Sequence, residues 1–242
     1  MLTEPTMEKL TTLRLSAMAE AWQAQRKDTE MATLGFDDRF GLIVDAEWLA
    51  RRNKRLANLL REAKLRIGSA CLEDIDCTGS RGLDKHFVRD LATCQWVQEH
   101  HNVVISGKTG VGKTYLCCAV VNQACRNGYR ALYRRAPRLF DELTLARADG
   151  SYHRLLAKLA RIDVLAIDDW ALVPVGDAER RDLLEILEDR HGNRSTILAS
   201  QLPVDRWHDQ IGDPTIADAI CDRVLHNAYR IVLQGSTRRK QS

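Results

Sequence analysis

The sequence predicts an α/β protein: an open parallel sheet between two helical layers (αβα), preceded by a small N-terminal helical domain. Three observations predict it. From Val103 onward, short apolar runs alternate with helical segments of ten or more residues, the rhythm of parallel β-α units. The first run feeds directly into a glycine-rich stretch that opens a helix. Before residue 67 the pattern is helical almost throughout.

The elements follow in chain order. Residues 1–67 contain one proline and two glycines, so little interrupts a helix. "MEKLTTLRLSAMAEAWQAQ" places Leu10, Leu13, Ala17 and Ala21 at helical spacing, and Met18 and Trp22 extend the stripe. A second helical pattern runs from about Asp37 through Arg66. Residues 68–101 combine turn signals in "CTGSRG" with one helical pattern, "KHFVRDLATCQWVQEH". They are expected to form a linker opening the second domain, 68–242. The runs "VVIS", "ALYRR", "DVLAID", "STILAS" and "YRIVLQ" then read as strands. No repeat of 20–50 residues and no low-complexity tract is present, which excludes a solenoid.

Composition narrows the function. The chain has 242 residues, 45% hydrophobic and 29% charged, an ordinary globular balance. Its net charge of +3 is too small to announce nucleic acid, so a basic footprint has to be local. No apolar run approaches the roughly 18 residues of a membrane span. The start, "MLTEPTMEKL", lacks the basic and apolar regions of a secretory leader. Seven cysteines with no C-x-x-C pair fit reduced, partly buried thiols in a cytoplasmic protein better than a metal site.

The glycine-rich stretch carries the chemistry. Gly107, Lys108, Thr109, Gly110, Val111, Gly112, Lys113 and Thr114 match G-x-x-x-x-G-K-[ST] without a gap. Glycines permit the turns that aim successive N–H groups at an anion, and the helix that follows adds its N-terminal dipole. Lys113 is placed to reach the β- and γ-phosphates of ATP, and the Thr114 hydroxyl to ligate Mg²⁺. The predicted fold is therefore a P-loop NTPase. Hydrolysis also needs carboxylates, and "DVLAIDDW" ends an apolar strand in Asp168 and Asp169. In open parallel sheets that edge binds ligands. Asp168 is expected to hold the metal and Asp169 to polarise the attacking water. "STILASQ" ends likewise in Ser200 and Gln201, where a γ-phosphate sensor belongs. Near the end, Ala217, Ile220, Cys221, Val224 and Ala228 form an apolar stripe, with Arg223 about 120° from its middle, free to project or to pair with Asp218 or Asp222.

Taken together, the chain resembles the IstB-like ATP-binding proteins, helpers of insertion-sequence transposition. These share a branch of the AAA+ ATPases with the DnaC-type helicase loaders. "LRLSAMAEAW", "NVVISGKTGVGKTYL", "RALYRRAPRLFDEL", "RIDVLAIDDW" and above all "STILASQLPVDRWHDQIGDPTIADAICDRVLHNAYRIVLQGSTRR" carry the resemblance over nearly the whole length. It implies an AAA+ core without the C-terminal lid, with Lys113 and Thr114 as the working pair of the loop. Asp168 becomes the metal carboxylate and Asp169 the catalytic one, in place of the Glu commonest there. The Ser200/Gln201 position becomes the first sensor, and Arg223 an arginine finger reaching a neighbouring subunit. Arg238 and Arg239 read most simply as a basic tail, with contact to phosphate as the alternative.

Such helpers hold DNA. "RRNKRLANLLREAKLR" has seven basic residues in sixteen and one acidic. Leu56, Leu59, Leu60 and Ala63 form its buried stripe, with Arg51, Lys54, Arg55 and Arg61 opposite. Arg134, Arg135 and Arg138 of "RRAPR" form a second candidate, and "LARADGSYHRLLAKLAR" a third. No base-reading motif is present, so binding to double-stranded DNA is expected to be sequence-independent and salt-sensitive. The reading is a bacterial cytoplasmic, Mg²⁺-dependent ATPase that self-associates through Arg223 into a ring or filament on DNA and assists a transposase. A helicase loader, or a nucleotide-gated DNA scaffold with little turnover, is the alternative.

Overall fold

The computed structural model describes residues 3–77, 81–172 and 174–237. Arg238 and Arg239, and Thr78, Gly79 and Ser80 of the expected turn, lie outside the described residues. The chain divides into two compact units, Met1–Asn58 and Leu59–Ser242.

The first unit is helical: α1 (Thr3–Thr12), α2 (Ser16–Lys27) and most of α3 (Phe36–Ala63), with a short 3₁₀ turn at Glu30–Thr33. The single helix expected over Met7–Gln25 is two. Arg14 adopts the left-handed conformation, φ 58°. Leu15 N–H donates to Leu10 O at 2.8 Å and Arg14 N–H to Thr11 O at 2.9 Å, the bonding that closes a helix C-terminus. Leu13, expected on the buried stripe, is 65% exposed as a result. Glu47 on α3 fixes the corner: it accepts from Met18 N–H at 3.0 Å and Arg51 Nε at 2.7 Å. The bond from Arg51 holds the Glu47 carboxyl below its ordinary pKa.

The division falls at Asn58/Leu59, inside α3, instead of at 67/68. The expected linker 68–101 is part of the second unit's core. Ala70, Leu72, Leu83, Val88, Leu91 and Trp96 are buried. Val88 and Leu91 lie in α4 (Lys85–Thr93) and Trp96 in α5 (Gln95–Gln98), two helices separated by a left-handed Cys94. Asp84 caps α4 by accepting from His86 N–H.

Five strands make the sheet: β1 (Asn102–Gly107), β2 (Ala131–Arg135), β3 (Val164–Trp170), β4 (Ser195–Ser200) and β5 (Ala228–Leu233). All neighbouring pairs are parallel, in the order β2-β3-β4-β1-β5. β4 is buried at every position, and β1 and β3 nearly so, as strands covered on both faces must be. The connecting helices are α6 (Lys113–Arg126), α7 (Ala136–Ala148), α8 (Tyr152–Ala160), α9 (Asp177–Arg190), the short α10 (Trp207–Ile211) and α11 (Pro214–Leu225). α6 carries the packing of segment 68–101: Asn122 Nδ2 donates to Ala70 O and Gln123 Nε2 to Ala92 O, both at 2.9 Å. Because β4 lies between β1 and β3, the C-terminal ends of all three converge on one crevice. Among the described residues, no helix is long and apolar enough to cross a membrane.

Candidate functional site

The loop after β1 is shaped by close backbone approach. Gly107 has φ 146°, and a Cβ there would stand 2.4 Å from Leu233 O of β5. At Gly110, φ 89°, a Cβ would stand 2.3 Å from Thr237 Oγ1. Only glycine fits either position. Gly112, left-handed, hands over to α6 without a side-chain cap. The first-turn N–H groups of α6 thus remain to bind an anion. The Lys113 ammonium lies in the loop it serves, donating to Gly107 O at 2.7 Å and Lys108 O at 2.9 Å.

Across the crevice, Asp168 is fully buried. Its Oδ2 accepts from Thr114 Oγ1 and from Tyr133 OH, each at 2.7 Å, and its Oδ1 from Asp169 N–H at 2.8 Å. Burial first, and then the Asp168 charge, push the Tyr133 phenol far up, so Tyr133 keeps its proton and donates. β3 is irregular between Ile167 and Trp170, and Asp169 there is left-handed, φ 56°. The kink turns Asp169 toward β2, where Arg135 Nε donates to its Oδ2 at 2.7 Å. That bond, more than the accompanying charge attraction, raises the Arg135 pKa. At the end of β4, Ser200 is buried and donates to Trp170 O at 2.8 Å, so it braces β3 and does not face the loop. Gln201 does face it, accepting from Thr109 Oγ1.

Part of this set lines a cavity of about 510 Å³, within the range of small-molecule sites. Thr109, Gly110, Gly112, Lys113, Thr114, Asp169 and Gln201 form one side, and Ile67, Asp74, Ile75, Arg81 and Leu83 belong to the other. Among the described residues no group of three or more His, Cys, Asp or Glu could hold a metal. A Thr hydroxyl 2.7 Å from a buried carboxylate nevertheless suits Mg²⁺, which keeps most of its water and takes only one or two protein oxygens beside the phosphates.

Residues 8–242 match the sequence profile of the family described as IstB-like ATP binding protein. The chain belongs to that family. It is 47% identical to an insertion-sequence ATP-binding protein of Sinorhizobium fredii (y4pL), over 99% of this chain and 98% of the relative. It is 48% identical to the ATP-binding protein of insertion sequence IS1162 of Pseudomonas fluorescens, over 84% and 88%. Among solved structures it shares its fold with DnaI (TM-score 0.57, 23% identity, 75% of this chain and 93% of that one). It likewise matches the DnaC helicase loader (TM-score 0.57, 19% identity, 68% and 97%). The fold is thus that of the AAA+ P-loop ATPases, and membership of the IstB-like family makes the chain an ATP-binding protein.

The structure gathers Thr109, Gly110, Gly112, Lys113, Thr114, Asp169 and Gln201 around this cavity, with Asp168 bonded behind Thr114, while Gly107, Lys108 and Val111 line a second cavity with Gln201 and Leu233. Arg223 is elsewhere. Its carbonyl accepts from Asn102 Nδ2 at 3.0 Å, at the start of β1, roughly 17 Å along that strand from the loop. Its guanidinium folds onto Ala219 O and pairs with Glu188, instead of with Asp218 or Asp222.

The expected DNA-binding set divides. Arg51 is committed to Glu47 and to Arg14 O. Arg134 is buried against Glu142, its side chain only 10% exposed, and offers no charge to a phosphate backbone. Arg135 is paired with Asp169, which lines the cavity. Lys54, Arg55, Arg61 and Arg138 are exposed.

Sequence reasoning missed Tyr133, the place of Arg135, and Arg81. The signal for the first two is strand register. Tyr133 stands opposite Ala166 and Arg135 opposite Asp168, so strand alternation puts all three polar groups on one face. It becomes readable only when β2 is known to neighbour β3.

Proposed function

We propose that this chain is an Mg²⁺-dependent ATPase of the bacterial cytoplasm whose nucleotide state governs its assembly on double-stranded DNA in support of a transposase. The observation that carries the reading is the convergence of the phosphate loop, the Thr114–Asp168 pair and Asp169 on one cavity, in a chain whose relatives are insertion-sequence ATP-binding proteins. In this reading the backbone of Gly107–Thr114, including Lys108 and Val111, cradles the phosphates. Lys113 turns from its carbonyl partners to the β- and γ-phosphates. Thr114 and Asp168 hold Mg²⁺, which neutralises phosphate charge when bound. Asp169 orients water and takes its proton as the oxygen attacks the γ-phosphorus, giving ADP and phosphate. Gln201, tied to Thr109, stands beside the γ-phosphate.

Arg223 acts on a neighbouring subunit. It stands at the far end of β1 from its own loop, so a contact with phosphate requires a second copy, head to tail, closing a ring or extending a filament. Lys54, Arg55, Arg61 and Arg138 supply sequence-independent contacts to DNA phosphates.

The test is the rate of ATP hydrolysis, with and without random-sequence duplex DNA, over a range of salt. Hydrolysis is expected to need Mg²⁺, to rise with DNA and to lose that rise as salt increases. A wild-type rate no higher than that of Lys113→Ala under every condition overturns the ATPase reading. It favours the second one, a nucleotide-gated DNA scaffold, which the Arg135–Asp169 pair supports by occupying the catalytic carboxylate. The helicase-loader alternative gains nothing from DnaI and DnaC, whose likeness is one of fold.

A further inference from the structure

The cavity has two walls built from different parts of the chain. One is the phosphate loop. The other is built from Ile67, Asp74, Ile75 and Leu83, an apolar surface with one carboxylate. A nucleotide whose phosphates lie in the loop has its base and sugar against this second wall. Tight binding therefore requires the walls to be held at a fixed distance.

One side chain spans them. Arg81 Nη2 donates to Val111 O of the loop at 2.8 Å, and Nη1 donates to Asp76 O at 3.2 Å. The same Nη2 lies 3.2 Å from where a Cβ on Gly112 would stand, against the residue that opens α6. The backbone of Arg81 is anchored in turn to the end of β5. Gln234 N–H donates to Arg81 O at 3.0 Å, and a Cβ on Gly82 would meet Val232 O at 2.5 Å. The guanidinium suits this task because its planar fork reaches two acceptors in fixed directions, which an ammonium cannot do.

We infer that Arg81 is a positioning residue of the nucleotide site, fastening the base-side segment to the phosphate loop so that a nucleoside triphosphate engages both walls at once. The inference rests on the ATP-binding reading and predicts a loss confined to ligands that carry a nucleoside.

The experiment is calorimetric titration of the full chain, with Mg²⁺, by ATP and by inorganic tripolyphosphate. Wild type, Arg81→Ala and Arg81→Lys are compared, with Lys113→Ala as the loop control. Arg81→Ala is expected to weaken ATP about tenfold, the scale of lost hydrogen bonds from a charged donor, while tripolyphosphate affinity stays within about twofold. Arg81→Lys, which keeps the charge and loses the fork, is expected to lose about as much ATP affinity as the alanine variant, and it serves alone if Arg81→Ala does not fold. Lys113→Ala weakens both ligands. Equal losses for ATP and tripolyphosphate would overturn the inference, because Arg81 would then act on phosphate or on the loop alone. Unchanged ATP binding in both Arg81 variants would overturn it too, and so would full rescue by lysine. A wild-type chain that binds neither ligand refutes the ATP-binding reading itself, a result distinct from all of these.

Discussion

Arg135 offers a direct handle on the catalytic carboxylate. Its Nε is 2.7 Å from Asp169 Oδ2, with the Arg side chain 37% exposed and the Asp side chain 15% exposed. Asp169 is also held in a left-handed backbone, which costs a non-glycine residue about 1 kcal/mol or more. The guanidinium occupies Asp169 Oδ2, so a water reaches that oxygen only when the pair opens. The arginine is more than a third exposed, and solvent screening reduces the pair to about 1–2 kcal/mol. At about 1.4 kcal/mol per factor of ten, opening costs about 5- to 30-fold in rate. Arg135→Gln is therefore expected to raise basal turnover by that factor, with KM for ATP nearly unchanged because Arg135 does not line the phosphate loop. Steady-state hydrolysis without DNA measures it, and the double variant Arg135→Gln/Asp169→Asn should lose the gain. A fall in turnover in the single variant, or a gain that survives in the double one, refutes the reasoning.

Other expectations follow from single contacts. Gly107→Ala drives a Cβ to 2.4 Å from a backbone oxygen at φ 146°; the expected cost is about 2–4 kcal/mol, read as a melting temperature lower by roughly 5–15 °C. Arg134→Ala should destabilise the chain through the loss of its Glu142 pair and leave DNA affinity unchanged. Lys54→Ala/Arg55→Ala should do the reverse, lowering affinity and flattening its salt dependence in a filter-binding titration. The Glu47 pKa is lowered from 4.5 in the folded chain, so its contribution to stability is complete above that value and is lost as pH falls through the folded pKa. Melting temperature should drop on acidification below pH 4.5, and Glu47→Gln should flatten that drop. Arg223→Ala should bind ATP as the wild type does but lose any rise of hydrolysis with protein concentration or DNA. Mixing it with Lys113→Ala should restore activity, and a mixture that co-assembles yet stays inactive refutes a shared site.

The sheet was legible because a buried parallel strand has little freedom in its composition. β1, β3 and β4 are covered on both faces, and each reads as an unbroken apolar run bounded by polar or glycine residues. The helices before β1 were less legible because they end without the usual signals. Arg14 takes the left-handed position that glycine marks elsewhere, and Cys94 does the same between α4 and α5. A periodicity reading passes through both without a stop. Residues 68–101 looked like a linker for a related reason. Ala70, Leu72 and Leu83 are separate apolar residues among turns, and their burial comes from packing on a domain whose elements lie later in the sequence.

The site shows the same limit at closer range. Lys113, Thr114 and the loop glycines stand in one contiguous motif, because an anion cradle is made of successive backbone groups. Asp168 and Asp169 were visible as a polar end to an apolar run. What surrounds them was not, because it depends on which strand lies beside β3. The basic run "RRAPR" looks like a surface charge cluster in one dimension, whereas pairing β2 with β3 gives each arginine a separate fate. Alternation sends Arg135 to the face of Asp168, within reach of the kinked Asp169, and Arg134 to the opposite face, against Glu142. Charge density along the chain therefore misjudged both residues for one reason. An arginine at the end of a buried strand meets a carboxylate of the neighbouring strand or helix before it meets solvent, and a count of basic residues contains no information about that neighbour.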